Sequence, residues 1–302
     1  MLGEMFALMG EMFLLMLIGY IAGRIGIITK AGKLCLTNLI LYVILPCNIL
    51  KAFLNETGVR WGEMLEVLIL ASLIQVFCSL IALVCYRFMD PGEKAVYQYA
   101  TVCSNAGFMG NPLSQAVFGD IGLLYTSIFL IPQRIVMWTA GVSYFQQDAD
   151  KKSACKKVLL HPCMIAVYIG LVMMLCGAGL PAFLDRTVSA LSSCTTAMTM
   201  LYIGTILVDI DFRTLITKKQ LYFALLRLLL IPLAVLLVCR AAQVDSLITG
   251  VCTFLTAMPA GSTTSLLAVK YHADEKSAAR CVVLTTLLSV VTIPVWGMVL
   301  KM

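Results

Sequence analysis

The chain has 302 residues, of which 61% are apolar and 13% charged, and a net charge of +6. Globular domains run at about 45–50% apolar and about 25% charged, whereas the mean hydropathy here is +0.95. A chain this apolar cannot cover itself with polar side chains in water. That excludes a cytosolic enzyme, a secreted disulfide scaffold, a disordered chain and a nucleic-acid binder, and makes the bilayer its solvent.

A bilayer core takes about 20 apolar residues as helix. Ten such runs follow one another, over 5–23, 34–54, 65–86, 95–118, 121–145, 162–180, 187–208, 221–239, 246–270 and 279–300. Short polar links such as 55–63, 87–94 and 146–157 join them and leave nothing over for a soluble domain. The first run has no basic leader or A-x-A site and carries Glu4, so it reads as a span and not as a cleaved signal peptide. Its Gly19-x-x-x-Gly23 is a small-residue packing face and a candidate for dimerisation. Glu11 in the same run reads first as an interfacial acid near the outer surface, ahead of a proton carrier or a partner for Arg134. Gln75 in the third run and Gln133 in the fifth either line a cavity or hold helices together.

Ionisable residues inside a membrane are functional candidates by default. Arg134 lies eleven residues from the end of its run, about 16 Å deep at about 1.5 Å per residue. It either binds a substrate carboxylate or pairs with a structural acid. Arg227 is six residues into the eighth run, where snorkelling to the cytoplasmic headgroups is the expected behaviour. The 12 cysteines form no Cys-x-x-Cys, and Cys155, His161 and Cys163 lack zinc-finger spacing, so neither a metal nor another cofactor is expected.

Lysine and arginine orient the spans. Links after odd-numbered runs hold 15 of the 22, among them Lys151, Lys152, Lys156 and Lys157; the other face holds five, Lys51, Arg60, Arg186, Arg240 and Lys301. The odd links are therefore expected in the cytoplasm and both termini outside the cell.

Two runs carry helix breakers at their centres. Run 4 contains Ser104-Asn105-Ala106-Gly107-Phe108-Met109-Gly110-Asn111-Pro112, and run 9 contains Met258-Pro259-Ala260-Gly261-Ser262-Thr263-Thr264-Ser265. Glycine and proline there argue for helices that stop and restart, with Asn111 as the expected N-cap and Pro112 at the first helical position. The positions correspond: Asn105 lies 100 residues after Met5 and Pro259 lies 97 after Pro162, where runs 1 and 6 begin. Five spans are an odd number, so halves 1–147 and 148–302 face opposite ways. Paired interruptions in inverted halves point to a transporter site at the midplane. Restarted half-helices aim positive ends there and favour an anion; the carbonyl ends of the first half-helices could instead hold a cation.

Asn105-x-Gly107-Phe108-x-Gly110-x-Pro112 resembles the crossover motif of the auxin efflux carrier family. Gly19-Tyr20…Gly23-Arg24, Leu45-Pro46, Tyr271-His272-Ala273-Asp274 and the Leu288, Ser289, Pro294, Val295, Trp296 ending fit the same family in order and spacing, over nearly the whole chain. Many bacterial members place an Asn in the second break, where Thr263 stands here. The long central cytoplasmic loop of some plant members is absent. The resemblance implies an all-α membrane protein of ten helices in two inverted repeats, with broken helices 4 and 9 crossing. It implies a dimerising scaffold from spans 1, 2, 6 and 7 and a mobile transport domain from spans 3–5 and 8–10, working as an elevator in the cell membrane. The implied substrates are small organic anions such as malate, malonate or auxin-like acids, with the coupling ion, H+ or Na+, left open. The candidate substrate-binding residues are Asn105, Gly107, Gly110, Asn111, Pro112, Gln133, Arg134, Pro259, Gly261, Ser262, Thr263 and Thr264.

An intramembrane enzyme is disfavoured: no Asp falls inside a run, both histidines lie at membrane edges, and there is no H-E-x-x-H, nucleophile elbow or P-loop. An anion channel and a sodium-coupled bile-acid-type symporter of related architecture are the competing readings.

Overall fold

The computed structural model describes residues 2–55, 61–138, 140–145, 160–209 and 215–300. They form helices α1 (Leu2–Arg24), α2 (Lys30–Leu39), α3 (Leu45–Asn55), α4 (Trp61–Cys85), α5 (Pro91–Val102), α6 (Asn111–Trp138), α7 (Ala140–Phe145), α8 (Pro162–Cys176), α9 (Ala182–Ser193), α10 (Thr195–Ile206), α11 (Lys218–Leu225), α12 (Ile231–Ala241), α13 (Ser246–Thr256), α14 (Thr263–Lys270) and α15 (Glu275–Val299). Among the described residues there is no strand, only one isolated antiparallel bridge. Among the described residues five helical stretches are long and apolar enough to cross a membrane: 31–51, 61–85, 106–137 (which turns at Gly119), 218–241 and 275–299. Pro162–Cys176 and Ser246–Thr256 are shorter apolar helices.

Three π turns join helices end to end, Ile40–Ile44 between α2 and α3, Ala106–Gly110 before α6, and Leu226–Leu230 between α11 and α12. Each stands two residues before a proline: Pro46, Pro112 and Pro232. Proline has no N–H to give and its ring crowds the carbonyl four residues back. The chain responds by widening one turn, so that Leu45, Asn111 and Ile231 donate to the carbonyls of Ile40, Ala106 and Leu226, five residues back. A different device divides α6. Gly119 has φ 72° and ψ −162°, a conformation only glycine adopts without strain, so α6 is two limbs that meet at a turn.

Packing follows the small residues. A Cβ at Gly19 would strike the Leu201 backbone and one at Gly204 the Met16 backbone, so α1 and α10 lie in direct backbone contact. The Gly19/Gly23 face is thus spent inside the chain, against α10, which corrects its assignment to dimerisation. Gly170 of α8 similarly admits the Phe53 ring of α3. α4, α5 and α6 pack with one another, α7 packs on α5 and α6, α13 packs on α4 and α6, and α15 packs against α5, α11 and α14. Many outward side chains are large and apolar, as at Leu14 and Ile18 on α1 or Leu73, Leu80 and Leu83 on α4, the surface of a chain solvated by lipid.

Candidate functional site

α5 ends at Val102, and Cys103 is extended at φ −106°, ψ 97°. α13 ends at Thr256 and the chain resumes helix at Thr263. The two interruptions lie against each other as a two-rung antiparallel contact. Ser104 pairs with Ala260, Asn105 N–H donates to the Pro259 carbonyl at 2.8 Å, and Gly261 N–H donates to the Cys103 carbonyl at 2.9 Å. A broken helix strands carbonyls and N–H groups that hydrocarbon cannot solvate; here each interruption supplies part of what the other lacks.

Gly261 is fixed by this contact, since a Cβ there would sit 3.0 Å from the Cys103 carbonyl oxygen and 3.3 Å from that of Ser104. Gly110 is fixed by packing on α13, with Leu255 Cδ2 2.9 Å from an added Cβ. Gly107 differs: nothing lies within 4 Å of where its Cβ would be, so it borders open space. Beside it Phe108 stacks on Tyr202 of α10, centroids 5.4 Å apart, and the Tyr202 hydroxyl lies near Thr37 and Ser262.

Side chains complete the polar accounting. Gln133 Nε2 donates to the Ser104 carbonyl at 2.8 Å while its Oε1 accepts from Ser104 Oγ at 3.0 Å. Gln75 Nε2 donates to the Val102 carbonyl at 3.0 Å. Ala260 N–H donates to Thr285 Oγ1 at 3.1 Å. Thr263 accepts from the Tyr99 hydroxyl at 3.3 Å. Thr264 is buried and its Oγ1 has no partner.

Asn105 is 3% exposed, and among the described residues its carboxamide makes no hydrogen bond to protein. It opens the π turn, and its own carbonyl accepts from Met109 and Gly110 N–H. The helix therefore restarts at Asn105, not at Asn111. Asn111 is helical at φ −56°, ψ −58°; its Nδ2 donates back to the Gly107 carbonyl at 3.0 Å and its Oδ1 is buried without a partner. The Asn-Pro pair reads as a cap in sequence, but Pro112 sits past a π turn that already carries the helix through it.

The two arginines inside the helical runs are placed differently from each other, and Arg227 differently from expectation. Arg134 is buried, with Nη1 lacking a partner. It is not among the hydrogen-bond partners of either interruption; its charge acts on His161 and Cys163 at the start of α8. His161 caps α8, Nδ1 accepting from Cys163 N–H at 3.3 Å, and burial together with Arg134 pushes its pKa down to about 4. Arg227 does not snorkel. It is 2% exposed and its Nη1 donates to the Thr101 carbonyl at 3.2 Å. The depth of the preceding run hid this, because Arg227 faces α5 and not the headgroups. Glu11 is exposed on α1. Among the described residues no cluster could hold a metal ion; Cys155 lies outside them.

The profile of a family described as membrane transport protein matches residues 5–155 and 149–297. An uncharacterized transporter of Methanocaldococcus jannaschii is 24% identical, over 95% of this chain and 96% of that one. The uncharacterized transporter YfdV of Escherichia coli is 22% identical over 93% of each. The mouse lysosomal cholesterol signaling protein is 25% identical over 78% of this chain, which corresponds to 29% of its own length.

Proposed function

The chain belongs to the membrane transport protein family of the auxin efflux carriers, and on that premise we propose that it is a secondary carrier of a small organic anion bound where the two interruptions meet. The substrate is a carboxylate of the size of malate, malonate or an auxin-like acid. The observation that carries this reading is the sign of the interior. Among the described residues the buried charged side chains are Arg134 and Arg227, and no buried carboxylate offsets them. Arg227 bonds the carbonyl end of α5, whereas Arg134 Nη1 has no partner among the described residues, and an unpaired buried charge is costly unless a counter-charge arrives.

The site itself offers donors. The Asn105 carboxamide is unpaired among the described residues, and the N–H groups of Ala106, Gly107 and Phe108 open a helix beside the space at Gly107. Such an end favours negative charge. Gly110, Asn111 and Pro112 shape that restart; Pro259, Gly261, Ser262, Thr263 and Thr264 form the facing wall; Gln133 fixes Ser104; Arg134 adds positive charge toward α8. The packing of α1 on α10 and of α3 on α8 and α9 supports a scaffold of spans 1, 2, 6 and 7, against which spans 3–5 and 8–10 move as an elevator. In this reading the ten spans form inverted halves 1–147 and 148–302, the protein is a homodimer in the cell membrane, and both termini are extracellular.

The test is counterflow of labelled malonate in proteoliposomes of the full chain. Saturable uptake driven by internal unlabelled malonate is the expected result. A non-saturating conductance makes the protein an anion channel, and the absence of any carboxylate response in a thermal-shift screen removes the anion assignment.

A further inference from the structure

A helix that ends in the membrane leaves its last carbonyls without intrahelical partners, together with roughly half a negative charge. Carriers with broken helices use such ends to hold a dissolved cation. At the first interruption four consecutive carbonyls are already taken. Thr101 accepts from Arg227 Nη1 at 3.2 Å, Val102 from Gln75 Nε2 at 3.0 Å, Cys103 from Gly261 N–H at 2.9 Å, and Ser104 from Gln133 Nε2 at 2.8 Å. Three of the donors are neutral and one is a cation.

We infer that Arg227 is a built-in counter-cation for the carbonyl end of the first interruption, standing where a carrier of this kind would otherwise bind a dissolved alkali cation, so that anion binding requires neither sodium nor potassium. The inference rests on the carrier reading for its consequence in transport, but not for the cation site itself. The charge is placed deep: Arg227 is nine residues beyond Lys218 at the head of α11, about 13 Å along the helix at about 1.5 Å per residue. Lys219 at that head is occupied with Glu93. The groups around the guanidinium are the Cys78 and Cys103 thiols and the Tyr86 phenol, none of them a carboxylate. Its Nε is buried with no partner, so hydrogen bonds do not fully satisfy the group; the negative end of α5 is the charge complement within reach. A dissolved cation would need several of these oxygens at once, and here each already holds a donor on one lone pair while the guanidinium's positive charge repels a second cation. The cation belongs to the protein and returns with it, which leaves a sodium gradient nothing to act on at this end.

The experiment is thermal unfolding of the purified full chain, with no substrate added, in choline chloride, sodium chloride or potassium chloride at one ionic strength. Wild type should melt at the same temperature in all three. Arg227→Ala should melt lower in choline and recover part of the loss, saturably, with sodium, potassium or methylguanidinium. Arg227→Lys, which keeps the tethered charge, should stay insensitive to the salt. A saturable response of wild type to sodium overturns the proposal, because the cation site is then open. So does an Arg227→Gln variant that matches wild type in choline, because the charge is then dispensable. If Arg227→Ala does not fold, the wild-type, Lys and Gln measurements decide the matter alone. Malonate counterflow in sodium-free medium is the second arm. Flux that depends on sodium while the melting data stand as expected places a coupling cation elsewhere and overturns the consequence. A complete absence of flux with the melting data intact counts against the carrier reading and leaves the cation site standing.

Discussion

At the first interruption the carbonyls of Thr101, Val102 and Ser104 are met by side chains from the turn before α12, α4 and α6, one of them a guanidinium, and that of Cys103 by the Gly261 N–H. At the second, the side chain that closes the backbone is a hydroxyl, Thr285, accepting from Ala260 N–H. No charged side chain bonds residues 257–262 among those described. The same device, an interrupted helical run, is therefore solvated in two ways. The first interruption carries the unpaired amide, the open space at Gly107 and the fixed positive charge; the second carries backbone and hydroxyls and holds the first in place. Thr263 is engaged with Tyr99, which fits a wall better than a ligand contact.

The sharpest way to break this division is through the charge that belongs to neither interruption. Arg134→Gln should weaken malonate binding by about 1.5–3 kcal/mol and acetate binding much less, measured as affinities of both ligands for both proteins. Equal losses, or none, make Arg134 a structural residue of the α8 contact. Next is a glycine pair. Gly261→Ala forces a Cβ against two carbonyls and should lower stability by about 1–3 kcal/mol, whereas Gly107→Ala should leave thermal unfolding nearly unchanged and reduce malonate flux. Reversal of the two would place the tight contact at the wrong interruption. A smaller contrast separates the side-chain supports. Gln133→Leu leaves a buried Ser104 carbonyl and hydroxyl unpaired and should be worse than Thr285→Val, which leaves one N–H, by about 1 kcal/mol.

The smallest expected effect is on pH. The His161 pKa falls from 6.5 to about 4 through burial first and the Arg134 charge second. Between those values the unfolded chain takes up a proton that the folded chain refuses, so this contribution to stability is complete above pH 6.5 and declines as pH falls toward 4. Melting temperature against pH should show that slope, flattened in His161→Gln and reduced in Arg134→Gln.

Much of this was legible in sequence because it rests on covalent facts. Clustered glycine and proline disfavour a continuous helix, so both interruptions were visible, and the turn at Gly119 fell in the gap between runs 4 and 5. The helix restart at Asn105 was not, since Asn111-Pro112 has the composition of a cap and only the π turn shows that the helix already runs through it. Each π turn has a proline two residues on, a local signal that could have placed all three. Arg227 was misplaced because depth along a run does not say which face a side chain takes. Gln75 and Gln133 were open between cavity and packing; they cap carbonyls, a role set by a partner 27 and 29 residues away. Gly19 and Gly23 announced a close helix contact, but not that α10 of the same chain supplies it.

The claim on which the account turns is that the first interruption binds the anion through Asn105, and titration calorimetry of malonate into wild type and Asn105→Ala tests it most directly. The side chain makes no bond to protein among the described residues, so its removal should leave ligand-free unfolding almost unchanged. Affinity should fall at least about tenfold, in line with about 1.5–3 kcal/mol for a hydrogen bond to a charged group. Undiminished malonate binding in Asn105→Ala, or a variant that no longer folds, would contradict it.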